Sequence, residues 1–85
     1  MAQIEVYTQS WCPYCSRVVA LFTKKGVSFQ EIDAPHGSAE RQSAMQRSGR
    51  STMPQVFIDG RPVGGCDDVV ALDRSGKLDP LLAAA

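Results

Sequence analysis

Apolar and polar residues alternate from Gln3 to Thr8, the period of a strand with one face turned inward. From Pro13 the spacing changes. Val18, Leu21 and Phe22 recur at helical intervals and predict a helix from about Pro13 to Lys25, with two lysines in its last turn and Gly26 as its stop. Val27 to Ile32, short and rich in β-formers, predicts a second strand, and Ala34-Pro35-His36-Gly37 a loop. Ser38 suits the N-cap of a second helix that ends at Gly49, on which only Ala44 and Met45 mark an apolar face. Pro54 to Ile58 predicts a third strand. Asp59-Gly60 is a two-residue hairpin signal leading to a fourth, Arg61 to Val63. Gly64-Gly65-Cys66-Asp67 turns the chain into a third helix, expected over Asp68 to Arg74 with an aspartate cap. Asp79 to Leu82 predicts a final turn, and Ala83 to Ala85 are expected to fray.

The order β-α-β-α-β-β-α limits the topology. Strands one and two are joined by a helical crossover and are expected to be parallel, whereas the Asp59-Gly60 turn makes strands three and four antiparallel. The compact solution is an α/β fold, a four-stranded mixed sheet flanked by helices. In it Cys12 falls beyond the carboxyl end of strand one, where open α/β sheets tend to carry their sites.

Composition narrows the function. Eighty-five residues make a single domain, 1–85, near the lower size limit for folding without a staple. Nine basic and nine acidic side chains cancel, which gives no electrostatic case for nucleic acid or an anionic membrane. The N-terminal residues lack the basic and apolar regions of a signal peptide, and no apolar run approaches a membrane span. Three cysteines are an odd number and a poor disulfide framework. Without an export signal, a Cys-x-x-Cys near a βαβ pattern argues for redox work in a reducing compartment, the cytoplasm.

Cys12-Pro13-Tyr14-Cys15 is that pair, at the expected strand-to-helix junction. Free N–H groups and the helix dipole favour an anion there, and for cysteine the anion is the reactive thiolate. Pro13 suits the first helical position, where the N–H it lacks has no partner. Cys12, nearer the open end of the helix, is expected to be the nucleophile and Cys15 the resolving thiol.

Cys12-Pro13-Tyr14-Cys15, Thr52-Met53-Pro54 and Gly64-Gly65-Cys66-Asp67-Asp68, in this order and spacing, resemble the dithiol glutaredoxins of the bacterial glutaredoxin 3 type, with similarity from about Ile4 to Leu82. The resemblance implies the thioredoxin fold and glutathione-dependent thiol–disulfide exchange by a monomer. Its implied partners are glutathione, as co-substrate, and disulfide-bonded or glutathionylated proteins, with no bound cofactor. Protein disulfides would be reduced through both cysteines; glutathione mixed disulfides would need Cys12 alone. It further implies a cis Met53-Pro54 bond facing the thiol, with the Met53 backbone paired to the cysteine of glutathione, and Tyr14 and Thr52 lining the groove. The helix start at Asp67 and Asp68 would bind the γ-glutamyl end, through backbone N–H groups and an aspartate side chain. Gln9 departs from the pattern. The resembling proteins commonly carry a lysine there for the glycyl carboxylate, a charge that Arg41 or Arg50 would have to supply.

Three residues have plainer readings: Cys66 a small half-buried residue, His36 a solvated loop histidine, and Trp11 either a shield for the sulfur or a wider apolar rim. A Cys₃His zinc site from Cys12, Cys15, Cys66 and His36 lacks the second closely spaced ligand pair that zinc knuckles use. A bridged iron–sulfur cluster, which some glutaredoxins hold, is disfavoured by Pro13 and Cys15.

Overall fold

A computed structural model describes residues 2–83. The order is β1 Ile4–Thr8, α1 Pro13–Lys25, β2 Gln30–Asp33, α2 Ala39–Ser48, β3 Gln55–Ile58, β4 Arg61–Gly64, α3 Cys66–Arg74 and α4 Leu78–Ala83. The four strands form one mixed sheet, β2-β1-β3-β4. β1 runs parallel to β2 and antiparallel to β3, and β3 and β4 form the hairpin.

Period-two alternation distributes the core over both faces of the sheet. Ile4 and Val6 of β1 and Val56 and Ile58 of β3 join Val18 and Phe22 of α1 and Val69 of α3 in one buried cluster. Tyr7 and Phe57 point the other way and pack with Ala34 and Ala44 under α2. Arg47 of α2 closes that second layer. Its guanidinium lies 4.0 Å from the Phe57 ring centroid and pairs with Glu5 at 2.9 Å. The Asp59-Gly60 turn has φ of 53° and 80°, the double left-handed geometry that two-residue hairpins require.

Several boundaries differ from the sequence expectation, each for a local reason. The second strand is Gln30–Asp33 rather than Val27 to Ile32, because its pairing with β1 begins only at Glu5↔Gln30. Val27 and Phe29 instead pack against the first core cluster. The third strand starts at Gln55, past Pro54, which has no N–H to give a ladder. On α2 the buried face is Arg41 and Ala44, not Ala44 and Met45; Met45 is exposed. The third helix begins at Cys66 with Gly65 as N-cap, so the two aspartates lie inside its first turn. The final turn is the separate helix α4, anchored by buried Leu78 and Leu82. Of the residues expected to fray, Ala83 closes α4, and Ala84 and Ala85 lie outside the described residues.

Candidate active site

Everything that positions Cys12 comes from the junction of β1 and α1. Trp11 turns the chain through a left-handed conformation, φ 59°. Cys12 follows as N-cap of α1 with φ −115° and ψ 99°, and Pro13 takes the first helical position. The Cys12 Sγ accepts the Cys15 N–H at 3.1 Å, and the Cys12 carbonyl accepts the Ser16 N–H at 3.1 Å. The sulfur thus takes the place an oxygen fills in an ordinary cap. The first turn of α1 carries no acidic residue, so its own helix offers no repulsion to a negative charge there.

Cys12 and Cys15 are joined as a disulfide, with Cα atoms 5.2 Å apart. Both are largely buried, Cys15 at 3% exposed and Cys12 at 8%. Cys12 is therefore the slightly more exposed residue of the two.

Beside the pair runs a groove of about 200 Å³, lined by Tyr14, Thr52, Met53, Pro54, Gly65, Cys66 and Asp67. Three separate motifs meet here, because the loop before β3 and the turn into α3 both reach the end of the sheet where β1 delivers Cys12. The Met53-Pro54 bond is cis. A Cβ on Gly65 would come within 3.2 Å of the Pro54 carbonyl oxygen, so a side chain at this point would be tightly packed against the wall. Cys66 is a buried free thiol at the first turn of α3, less exposed than expected.

Five of the expected binding residues, Tyr14, Thr52, Met53, Pro54 and Asp67, share this groove. Gln9 and Asp68 do not line it. Gln9 borders a separate shallow hollow with Thr8, Ser10, Glu31 and Asp33. The Asp68 carboxylate is taken by the Gly65 N–H at 2.9 Å and by Arg50 at 2.7 Å. Trp11 is 99% exposed and so does not cover the sulfur, which removes the shielding role. His36 is an exposed loop residue. Among the described residues no three His, Cys, Asp or Glu side chains converge as a metal site.

Arg41 is the residue that the helical pattern undervalues. It is 8% exposed, and its guanidinium donates to Gln9 Oε1, to the Ala34 carbonyl at 3.2 Å and to the Ser51 carbonyl at 3.3 Å. It thereby ties the end of β1 to the backbone one residue before Thr52. Among the described residues it has no acidic partner. Only its position three residues before Ala44 signals this, since that spacing puts the two on one face of α2.

The Gly65 N–H, and then Arg50, hold the Asp68 carboxyl below its ordinary range. A lowered folded-state pKa means stability that is present above the unfolded value, about 3.9, and lost as pH falls. Asp68→Asn is expected to lower the urea midpoint at neutral pH. The difference from the parent should shrink as pH drops through the carboxylate range and vanish at the acid end. A difference that stays constant with pH would mean the carboxylate charge plays no part.

The glutaredoxin family profile matches residues 4–63. Glutaredoxin 3 of Escherichia coli strain K12 is 55% identical over 82 residues, covering 96% of this chain and 99% of its own. The solution structure of glutaredoxin from Brucella melitensis superposes with a TM-score of 0.83 at 50% identity, over 96% of this chain and 89% of the other. A buckwheat glutaredoxin–glutathione complex gives a TM-score of 0.84 at 36% identity, over 95% and 76%. No helix among the described residues is long and apolar enough to cross a membrane.

Proposed function

The chain belongs to the glutaredoxin family, a family of glutathione-dependent thiol–disulfide oxidoreductases, and from that premise we propose that Cys12 is its nucleophile and Cys15 its resolving thiol. The observation that carries the assignment is the position of the Cys12 sulfur at the N-cap of α1, where it accepts the Cys15 N–H.

In the reduced protein the same N–H and the helix start stabilise a Cys12 thiolate. With a protein disulfide, the thiolate attacks one sulfur and the partner's other cysteine leaves as thiolate. Cys15 then gives up its proton, bonds to the Cys12 sulfur and releases the partner reduced by two electrons. With a glutathionylated protein, Cys12 takes the glutathione and the protein thiol leaves; a second glutathione thiolate then attacks the bound glutathione sulfur, forming glutathione disulfide and freeing the Cys12 thiolate. That second route needs no Cys15. Reduction by glutathione places the reaction in a reducing compartment, the cytoplasm.

The groove fits an extended tripeptide. We assign the Met53 backbone to its cysteine residue, in the manner of a short added strand, with Tyr14, Thr52 and Pro54 as walls. The start of α3 takes the γ-glutamyl end: backbone N–H groups meet the carboxylate and Asp67 the ammonium, while Asp68 braces the turn through Gly65. Arg41, through its contact with Gln9, supplies the charge for the glycyl carboxylate. Coupled turnover of a glutathionylated peptide with glutathione, glutathione reductase and NADPH tests the reading. Saturable NADPH oxidation is expected, and none at all would refute it.

Gln9→Lys is expected to lower the Cys12 thiol pKa and tighten glutathione saturation, with both gains shrinking at high salt. The substitution also deprives Arg41 of an acceptor and sets a like charge beside it, so the urea midpoint should fall. Ultraviolet titration of the thiolate in both proteins checks the first effect. Coincident curves would mean that Arg41 already provides the whole field.

A further inference from the structure

Trp11 is left unused by the chemistry above. It is 99% exposed, so none of the described residues covers the indole. Its φ of 59° is a conformation that bulky residues rarely adopt. Such costs persist where surrounding structure imposes them, and they cluster at functional sites. Trp11 precedes Cys12 directly, yet it does not line the groove formed by Tyr14, Thr52, Met53 and Pro54 with the start of α3. The groove assigned above to glutathione is walled without the indole. No charged side chain occurs from Gln9 to Ser16, so this segment, with Trp11, Pro13 and Tyr14 exposed, carries no charge of its own.

We propose that Trp11 is the docking contact for the polypeptide part of a protein-disulfide substrate, and that it fits a segment carrying an apolar side chain beside its reactive cysteine. The inference rests on Cys12 being the nucleophile. Attack by the Cys12 thiolate breaks the partner's S–S bond and joins one of its sulfurs to Cys12, while the other leaves as thiolate. In that mixed disulfide the two bonded cysteines have Cα atoms about 4.4–6.8 Å apart. Trp11, whose own Cα is about 3.8 Å from that of Cys12, therefore lies within side-chain reach of the partner's next residues. The contact is continuous with the reactive sulfur and lies outside the glutathione groove. It distinguishes a polypeptide from glutathione by what the partner carries beyond its cysteine. Covering about a third of an exposed indole corresponds to roughly tenfold in kcat/KM.

Trp11 is the chain's only tryptophan, so its fluorescence reports the contact directly. The test uses two cyclic peptide disulfides that differ only in leucine or aspartate beside the cysteine, with glutathionylated cysteine as the small substrate. Trp11→Asn removes the indole but tolerates the left-handed backbone, and Trp11→Phe keeps an aromatic face. Expected are a loss of about tenfold in kcat/KM for the leucine peptide with Trp11→Asn, a smaller loss with Trp11→Phe, and unchanged turnover of glutathionylated cysteine. In Cys15→Ser adducts, the indole emission should shift to shorter wavelength with the leucine peptide and not with glutathione. Equal rates on the leucine peptide with and without the indole would overturn the proposal. So would equal losses on all three substrates, which would mean that Trp11 acts through the geometry of Cys12, or a preference for the aspartate peptide. Failure to form any Cys12 adduct, glutathione included, would overturn the nucleophile assignment as well, which keeps the two failures apart.

Discussion

Cys12→Ser is expected to abolish turnover of both a glutathionylated substrate and a protein disulfide, whereas Cys15→Ser keeps the first activity and loses most of the second. The asymmetry follows from the start of α1. Cys12 is the N-cap, its sulfur accepts an N–H, and it is the more exposed of the pair; Cys15 lies one turn inside, 3% exposed. A serine at Cys12 cannot form the mixed disulfide that both routes share. A serine at Cys15 leaves that first step intact. It replaces a positioned intramolecular thiol with one arriving from solution, so protein-disulfide reduction should fall by about a hundredfold or more. Parallel kinetics on the two substrates decide the matter. A Cys15→Ser protein inactive in both assays would refute the single-cysteine route, and one active in both would refute the resolving role.

Arg41→Met is expected to weaken the fold and the use of glutathione together. The side chain is buried and its guanidinium satisfies three acceptors: Gln9 Oε1 and the carbonyls of Ala34 and Ser51. Methionine keeps the aliphatic stem and strands those acceptors, a loss of about 2–4 kcal/mol after Gln9 rehydrates. It also removes the cation assigned to the glycyl carboxylate, so half-saturation by glutathione should rise about fivefold. Arg41→Lys separates the two effects. It keeps the charge but not the planar fork, so most of the stability loss should remain while glutathione saturation recovers. Urea unfolding and glutathione titration measure both. Unchanged saturation with a lowered midpoint would make Arg41 a purely structural link between β1 and the segment before Thr52.

Local pattern carried far in this chain because its signals are unambiguous. Pro13 marks the start of α1, Gly26 and Gly49 its end and that of α2, and Asp59-Gly60 the hairpin. Each works through backbone constraints that no distant residue alters. The same local rules misplaced the start of α3. Aspartate is a good cap, but Gly65 is the residue with extended backbone there, and Asp68 reaches back from inside the turn to its N–H. They also misjudged α2. Burial there depends on what faces the helix, and Arg41 goes inward because three acceptors from other segments meet it.

The sequence by itself determined the reactive pair, its setting at a helix start and the class of chemistry, since these depend on spacing over four residues and on neighbouring backbone. Tertiary structure decided the rest. It brought Thr52-Met53-Pro54 and Gly65-Cys66-Asp67 to one groove beside the sulfurs, by pairing β3 with β1 and placing α3 against the same end of the sheet. It paired Asp68 with Arg50, eighteen residues away in sequence, and set Arg41 against Gln9, thirty-two away. It also left Trp11 uncovered. No periodicity encodes such contacts, because which charged or aromatic side chain meets which is settled only when the strands fix their order and register.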